Sequence, residues 1–234
     1  QAAGWAAMER SLRAARELGV GLTLVRNTNN LGFLAFYTLH AAAQGFAGVC
    51  MGNANAAMSP WGGAEALLGT NPISIAVPGP EPVALDMSSS VVARGKIRKA
   101  QRQGERIPLG WALDSVGEPT DDPDAALKGT LLPIGGPKGY GLAFMVDVLA
   151  GMLSGAAFGK DIKSFHQFQG PTRVGVLALA FDVERFMPLE QFRALMRGYV
   201  AAIRGSRKAK GTGRIYLPGE IELEKERACQ ERGI

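Results

Sequence analysis

The sequence predicts an α/β protein, and three observations carry that expectation. Segments with apolar residues at helical spacing alternate along the 234 residues with short apolar runs, many of them β-branched. A hydrophobic share of 47% is enough to bury one substantial core or two smaller ones. Neither a GxGxxG run after a strand nor a GxxxxGK[ST] run is present, so the chain carries no Rossmann fingerprint and no P-loop.

The elements can be justified in order. Trp5, Met8, Leu12 and Ala15 keep a helical period and predict an amphipathic helix from Trp5 to Leu18, stopped by Gly19. Val20 to Val25 reads as a short buried strand that delivers Arg26-Asn27-Thr28-Asn29-Asn30 to a second helix, Leu31 to Gln44, ending at Gly45. An amide-rich junction of this kind is either a ligand site or a set of helix caps, because Asn and Thr are favoured N-caps for backbone reasons alone. Phe46 to Met51 is the next strand, followed by a long loop, Gly52 to Asn71, that carries PWGG and GTNP. Loops of this length inside a compact domain are more often functional than idle.

Ile73 to Val77 and Val83 to Met87 are predicted as two short strands around the turn at Pro78 to Pro82. The second ends at Asp86, Met87 and Ser88 and leads into a basic, helical segment from Val91 to Gln101. Trp111 to Asp114 is a short extended piece, followed by acidic turns at Glu118 to Asp124. Val174 to Phe181 is nearly all apolar, the pattern of a strand covered on both faces. Leu189, Phe192, Leu195, Met196, Tyr199, Val200 and Ile203 mark an amphipathic helix. Ile215 to Leu217 is expected as a last strand and Glu220 to Arg232 as a charged terminal helix.

Between these lies Gly135 to Gly151, which opens with a glycine turn, puts Pro137 at the first position of a helix and continues into an apolar run. Free N–H groups at the helix start, with Lys138 beside them, suit a phosphate or carboxylate; the alternative is a surface lysine on a tight turn. Pro137 to Gly151 is expected as a buried helix, with Asp147 a structural, hydrogen-bonded residue in it. The apolar window Tyr140 to Phe158 contains Asp147 and several glycines, which favours a core helix over a membrane span.

The net charge of +5 is concentrated in two clusters, Arg94 to Arg106 and Arg204 to Arg214. No aromatic residue interleaves them and no nucleic-acid-binding motif is present, so solvated faces or attraction of a small anion account for them, and no nucleic-acid or membrane partner is expected. Cys50 and Cys229 follow no metal or disulfide spacing, in keeping with a reducing, cytoplasmic setting. His40 and His166 are the two imidazoles; neither position singles out a catalytic base. The start at Gln1, already in helical period, suggests a fragment of a longer chain.

PWGG…LLGTNPI at Pro60 to Ile73, LDMSSSVVARGKI at Leu85 to Ile97, GWALD at Gly110 to Asp114, EPTDDP at Glu118 to Pro123, LLPIGGPKGYGL at Leu131 to Leu142 and YLPGE at Tyr216 to Glu220 follow one another along nearly the whole chain. In this order they resemble the malate/L-lactate dehydrogenase family. It is a non-Rossmann family that also includes ureidoglycolate dehydrogenases, diketogulonate reductases, sulfolactate dehydrogenases and cyclic imine reductases. Members typically carry a further helical N-terminal region with a Ser-His-Gly motif, so the resemblance implies that this chain corresponds to the larger, C-terminal part of such an enzyme.

The resemblance implies a mostly antiparallel cofactor-binding sheet with packed helices, a homodimer, and NAD or NADP bound in an extended form between domains. Residues 1–45 and 186–234 would belong to a larger substrate and dimer domain, and residues 46–185 to the cofactor domain. The cofactor site would use Asn53, Ala54, Thr70, Asn71, the backbone of Asp86, Met87 and Ser88, and Lys138. Ala54 replaces a serine common among relatives and removes one hydrogen bond, worth about 1 kcal/mol. Where many relatives have a histidine two residues before the glycine here numbered Gly32, this chain has Asn30, which can polarise a carbonyl but cannot titrate. Asp86, or a histidine upstream, would then handle the proton. The implied reaction is hydride transfer between nicotinamide and a small anionic 2-hydroxy or 2-oxo acid of malate, lactate or ureidoglycolate type. The alternatives are reduction of a cyclic imine (piperideine- or pyrroline-2-carboxylate) and a nucleotide-binding relative without catalysis.

Overall fold

The structure, a computed structural model, describes residues 1–164 and 170–233; His166 lies outside the described residues. Helix α1 (Ala2–Leu18) stops at Gly19, whose φ of 86° places it in the left-handed region that glycine tolerates. Strand β1 (Val20–Thr28), helix α2 (Ala35–Ala43) and strands β2 (Phe46–Gly52), β3 (Ile73–Val77) and β4 (Val83–Met87) come next. A second group contains α3 (Arg94–Gln103), β5 (Ala112–Leu113), β6 (Pro119–Thr120), α4 (Pro123–Lys128) and β7 (Thr130–Leu131). Helix α5 (Pro137–Val146) runs directly into a π-helical turn, Asp147–Met152. Strand β8 (Val174–Asp182) and helices α6 (Val183–Phe186), α7 (Leu189–Gly205) and α8 (Glu220–Arg232) complete the chain.

The main sheet has the order β1-β8-β2-β3-β4, and every neighbouring pair is antiparallel. Strand β8 reaches the sheet from far along the chain and separates β1 from β2. Its alternation sends Val176, Ala178 and Ala180 to one face, against Met8 and Leu12 of α1 and Tyr37 of α2. Leu177 and Leu179 point the other way, against Val146 and Ala150 of the α5–π segment. The two-sided cover expected for this strand is therefore present. Helix α1 lies on β1 so closely that a Cβ on Gly21 would stand 1.9 Å from the Ser11 carbonyl oxygen. Because β1 and β2–β4 share one sheet, that sheet spans position 45 of the chain.

A three-stranded sheet, β6-β5-β7, packs with α3, α4 and α5 around Met58, Ile97, Ala112 and Leu131. This smaller core holds the basic helix α3 beside the long loop after β2.

Several elements differ from the sequence expectation. Helix α2 begins at Ala35 instead of Leu31, because the preceding residues form side-chain-capped turns: Asn29 Oδ1 accepts from Asn30 N–H, and Asn30 Oδ1 from Gly32 N–H. Ile215 to Leu217 is not a strand, since Leu217 N–H donates at 2.8 Å to the Glu220 carboxylate, which also pairs with Arg204 and Arg214. The segment from Pro137 to Gly151 is buried along one stripe only. Gly139, Ala143, Val146, Asp147, Ala150 and Gly151 face inward, while Phe144 and Met145 face outward. Helix α7 buries only Val200, leaving Leu195 and Tyr199 exposed. Among the described residues no helix is long and apolar enough to cross a membrane.

Candidate active-site groove

Two adjoining cavities form one groove between the main sheet and the smaller core. The first, about 200 Å³, is walled by Asn29, Asn30 and Gly32 on one side and by Asn53, Asn55 and Thr70 on the other. The second, about 590 Å³, shares Ala54, Asn55, Thr70, Ile162 and Lys163 with the first and adds Ser88, Arg94, Arg98 and Lys160. One end is therefore lined by amides and the other by cations.

The amide end is shaped by the exit of β1. Its register with β8 shifts between Val25 and Thr28, and Asn27 adopts a positive φ of 58°. An irregularity of this kind bends a strand and re-aims the residues beyond it. Thr172 Oγ1 holds the bend by donating to Thr28 O at 2.9 Å. Past the bend, Asn30 Oδ1 accepts from Gly32 N–H at 2.8 Å, which fixes the amide's orientation. Asn30 Nδ2 has no partner among the described residues, so the side chain keeps its two donor hydrogens for a ligand.

The floor is a buried polar cluster. Asn53 Nδ2 donates to Asp147 Oδ1 at 2.9 Å and to Ala157 O at 2.8 Å, while Asn53 Oδ1 accepts from Gly175 N–H at 2.8 Å. Asn71, fully buried, donates from Nδ2 to Ala143 O and accepts on Oδ1 from Ala54 N–H. Burial pushes the Asp147 carboxyl above its ordinary value, and hydrogen bonds from Asn53, Gly159 N–H and Asn71 oppose the shift. Both asparagine side chains are thus committed to holding the loops in place. Their contribution to a ligand is the backbone path they impose on residues 53–55 and 70–71.

Thr70 and Ser88 meet at the second cavity, and Ser89 ties their segments together by donating from Oγ to Asn71 O and from N–H to Thr70 O. Met87 closes β4 next to them and Ala54 lines both cavities. Asp86 is placed elsewhere. Its Oδ2 accepts from Ala35 N–H at 2.7 Å, capping α2 from a neighbouring strand, and it borders an apolar cavity with Phe33, Leu39 and Leu223. Desolvation raises its carboxyl above the ordinary value; N–H groups of Ala35 and Leu34 oppose this and the charge of Glu222 adds to it. Asp86 and Asn30 therefore line different cavities.

Lys138 sits as expected after Gly135 and Gly136, whose φ values are 60° and 63°, with Pro137 at the first helical position. It is exposed, has no ion pair among the described residues and lines neither groove cavity. His40 contacts Glu9 at 2.5 Å and stacks near Trp5, a packing role between α1 and α2.

Arg94, Arg98, Lys160, Lys163, Asn55 and Thr172 line the groove without having been singled out as site residues in the sequence. The basic run after the serines was a signal for the two arginines. No local pattern marks Lys160 and Lys163, which the fold brings in from the segment before β8.

All 234 residues match the family model described as malate/L-lactate dehydrogenase. The chain is 40% identical over 229 residues to a malate dehydrogenase of Pyrococcus abyssi, covering 94% of this chain and 63% of that protein. It is 43% identical over 195 residues to a (2R)-3-sulfolactate dehydrogenase (NADP(+)) of Chromohalobacter salexigens, covering 81% and 59%. It is 34% identical over 237 residues to an Escherichia coli ureidoglycolate dehydrogenase (NAD(+)), covering 100% and 67%. Among solved structures, the sulfolactate dehydrogenase of Methanocaldococcus jannaschii superposes with a TM-score of 0.90 at 39% identity, covering 96% of this chain and 65% of that one. An antiparallel sheet, helices on both faces and a groove at the ends of its strands thus go with sequence kinship: the chain belongs to the malate/L-lactate dehydrogenase family. It spans roughly three fifths to two thirds of the length of these relatives.

Proposed function

We propose that the groove binds a nicotinamide dinucleotide and a small 2-hydroxy or 2-oxo acid, and that the protein of which this chain is part is an NAD(P)-dependent oxidoreductase acting as a homodimer. The observation that carries the reading is the free Asn30 Nδ2 donor at one end of a groove whose other end is cationic. The donor set suits the dinucleotide: Thr70, Asn55 and Ser88 offer hydrogen bonds along the walls, and Arg94, Arg98, Lys160 and Lys163 offer charge for phosphates.

When bound, the nicotinamide supplies or accepts the hydride at the substrate's C2. Asn30 Nδ2 donates to the oxygen on C2 and stabilises the negative charge that grows there as a carbonyl is reduced. Because Oδ1 is held by Gly32 N–H, the amide does not reorganise during the step. Asn30 supplies polarisation and no proton, so the proton comes from another group or from solvent. Lys163, at the seam of the two cavities, draws anionic substrates toward the first cavity.

Nicotinamide fluorescence tests the binding half: NADH or NADPH should show a saturable change with the purified protein. Turnover of malate-, sulfolactate-, lactate- and ureidoglycolate-type acids, against a cyclic imine, then tests the reaction. Fluorescence that never saturates overturns the reading; binding followed by reduction of the imine alone transfers it to imine chemistry.

A further inference from the structure

The cationic end of the groove has a property that bears on which dinucleotide it takes. Arg94 and Arg98 lie one turn apart on α3 and line the same cavity, as does Lys160. Arg94 Nη2 is anchored on Leu127 O at 2.5 Å, and its guanidinium is pushed below its ordinary value by burial and by the neighbouring charge of Arg98. Arg98 is exposed and has no ion pair or hydrogen bond among the described residues. No described residue lining this cavity is acidic. Glu65, on an exposed pair with Lys160, and Asp161, next to Lys160 in the chain, both sit outside the lining.

The unphosphorylated ribose of NAD is commonly recognised by a carboxylate that accepts from its 2′-hydroxyl, whereas a 2′-phosphate is taken by arginine. Two guanidinium groups that repel each other and have no carboxylate to share are stabilised by a phosphate monoester, which carries about 1.5 to 2 negative charges and accepts bidentate hydrogen bonds. We propose that the Arg94–Arg98 pair receives the 2′-phosphate of the dinucleotide and that the groove selects NADP(H) over NAD(H). This rests on the dinucleotide-binding reading above. The sulfolactate and ureidoglycolate relatives are named for different cofactors, so kinship leaves the choice open.

Direct titrations of the purified protein with NADPH and with NADH, followed by nicotinamide fluorescence at low ionic strength, measure the preference without turnover. NADPH should bind at least about tenfold more tightly, and 2′,5′-ADP should displace it better than 5′-ADP. A single charge-assisted contact is worth about 1.5 to 3 kcal/mol, so Arg98→Ala should reduce the NADPH-to-NADH preference by about tenfold or more. Arg98→Lys should restore part of it. The exposed position makes the variant safe for folding, which an unchanged thermal unfolding curve checks. Equal affinity for the two cofactors overturns the inference and leaves the function standing, as does an Arg98→Ala variant that weakens both equally. If neither cofactor binds, the inference falls together with the function.

Discussion

Asn53 and Asp147, 94 positions apart in the chain, are joined by a 2.9 Å hydrogen bond from Asn53 Nδ2 to Asp147 Oδ1. Both are nearly fully buried. The bond fastens the loop after β2 to the start of the π-helical turn, and the remaining contacts of Asn53 reach Ala157 and the first residues of β8. Four segments far apart in the sequence are thereby held together under the groove.

Replacing Asn53 by leucine leaves the Asp147 carboxyl without its nearest donor and orphans Gly175 N–H. Loss of a buried bond to a charged partner, with a polar group left unsatisfied, costs about 3 kcal/mol. Urea unfolding of Asn53→Leu should show a clearly lower midpoint; a loss of less than about 0.5 kcal/mol would mean that the cluster does not hold these segments together.

Asp147 also predicts a pH dependence. Its folded-state pKa is raised above the ordinary 3.8, so the folded state holds this proton more tightly than the unfolded chain does. The associated stability is present below the unfolded value and is lost as pH rises through the folded one. Melting temperatures of the wild type and Asp147→Asn, compared from acid to neutral pH, should therefore diverge in the acid range, with the wild type losing relative stability as pH rises. Parallel curves would show that the carboxyl is not shifted upward.

Gly175 tests the close packing beneath the site. A Cβ there would stand 1.9 Å from Ala150 O, and both are backbone positions that cannot step aside. Overpacking of this kind typically costs about 1 to 3 kcal/mol. Gly175→Ala should lower thermal stability and weaken nucleotide binding together, because β8 and the π-helical turn both position Asn53. Unchanged nucleotide affinity in a destabilised Gly175→Ala protein would separate the packing from the site.

Substitutions at Asn30 and Asp86 should separate the proposed chemistry from the scaffold. Removing one preorganised donor to a developing oxyanion typically lowers kcat by about 10²- to 10³-fold, and that loss is expected of Asn30→Ala, with little change in cofactor affinity. Asp86→Ala should cost about 1 kcal/mol of stability as a lost helix cap. Asp86→Asn, which keeps an acceptor for Ala35 N–H, should retain both stability and the pH profile of kcat. A collapse of kcat in Asp86→Asn would return the proton-transfer role to that residue.

The sequence by itself determined most of the larger elements and the family. Strands β3 and β4 and helix α8 fall at the predicted residues because each is bounded by local signals: proline turns around β3 and β4, and Gly219 before α8. Motif order along the chain was enough for kinship. The family resemblance also marked Asn30, Thr70 and Ser88, which line the groove. Only the tertiary structure decided how such residues are used. Asn53, Asn71 and Asp86 carry the side chains of a ligand site, yet hydrogen bonds to Asp147, Ala143 and Ala35, all distant in sequence, commit them to the scaffold. Lys160 and Lys163 became groove residues because their segment crosses to face α3. A side chain's type can be read locally, but whether its donors and charge are free depends on partners that only folding brings within reach.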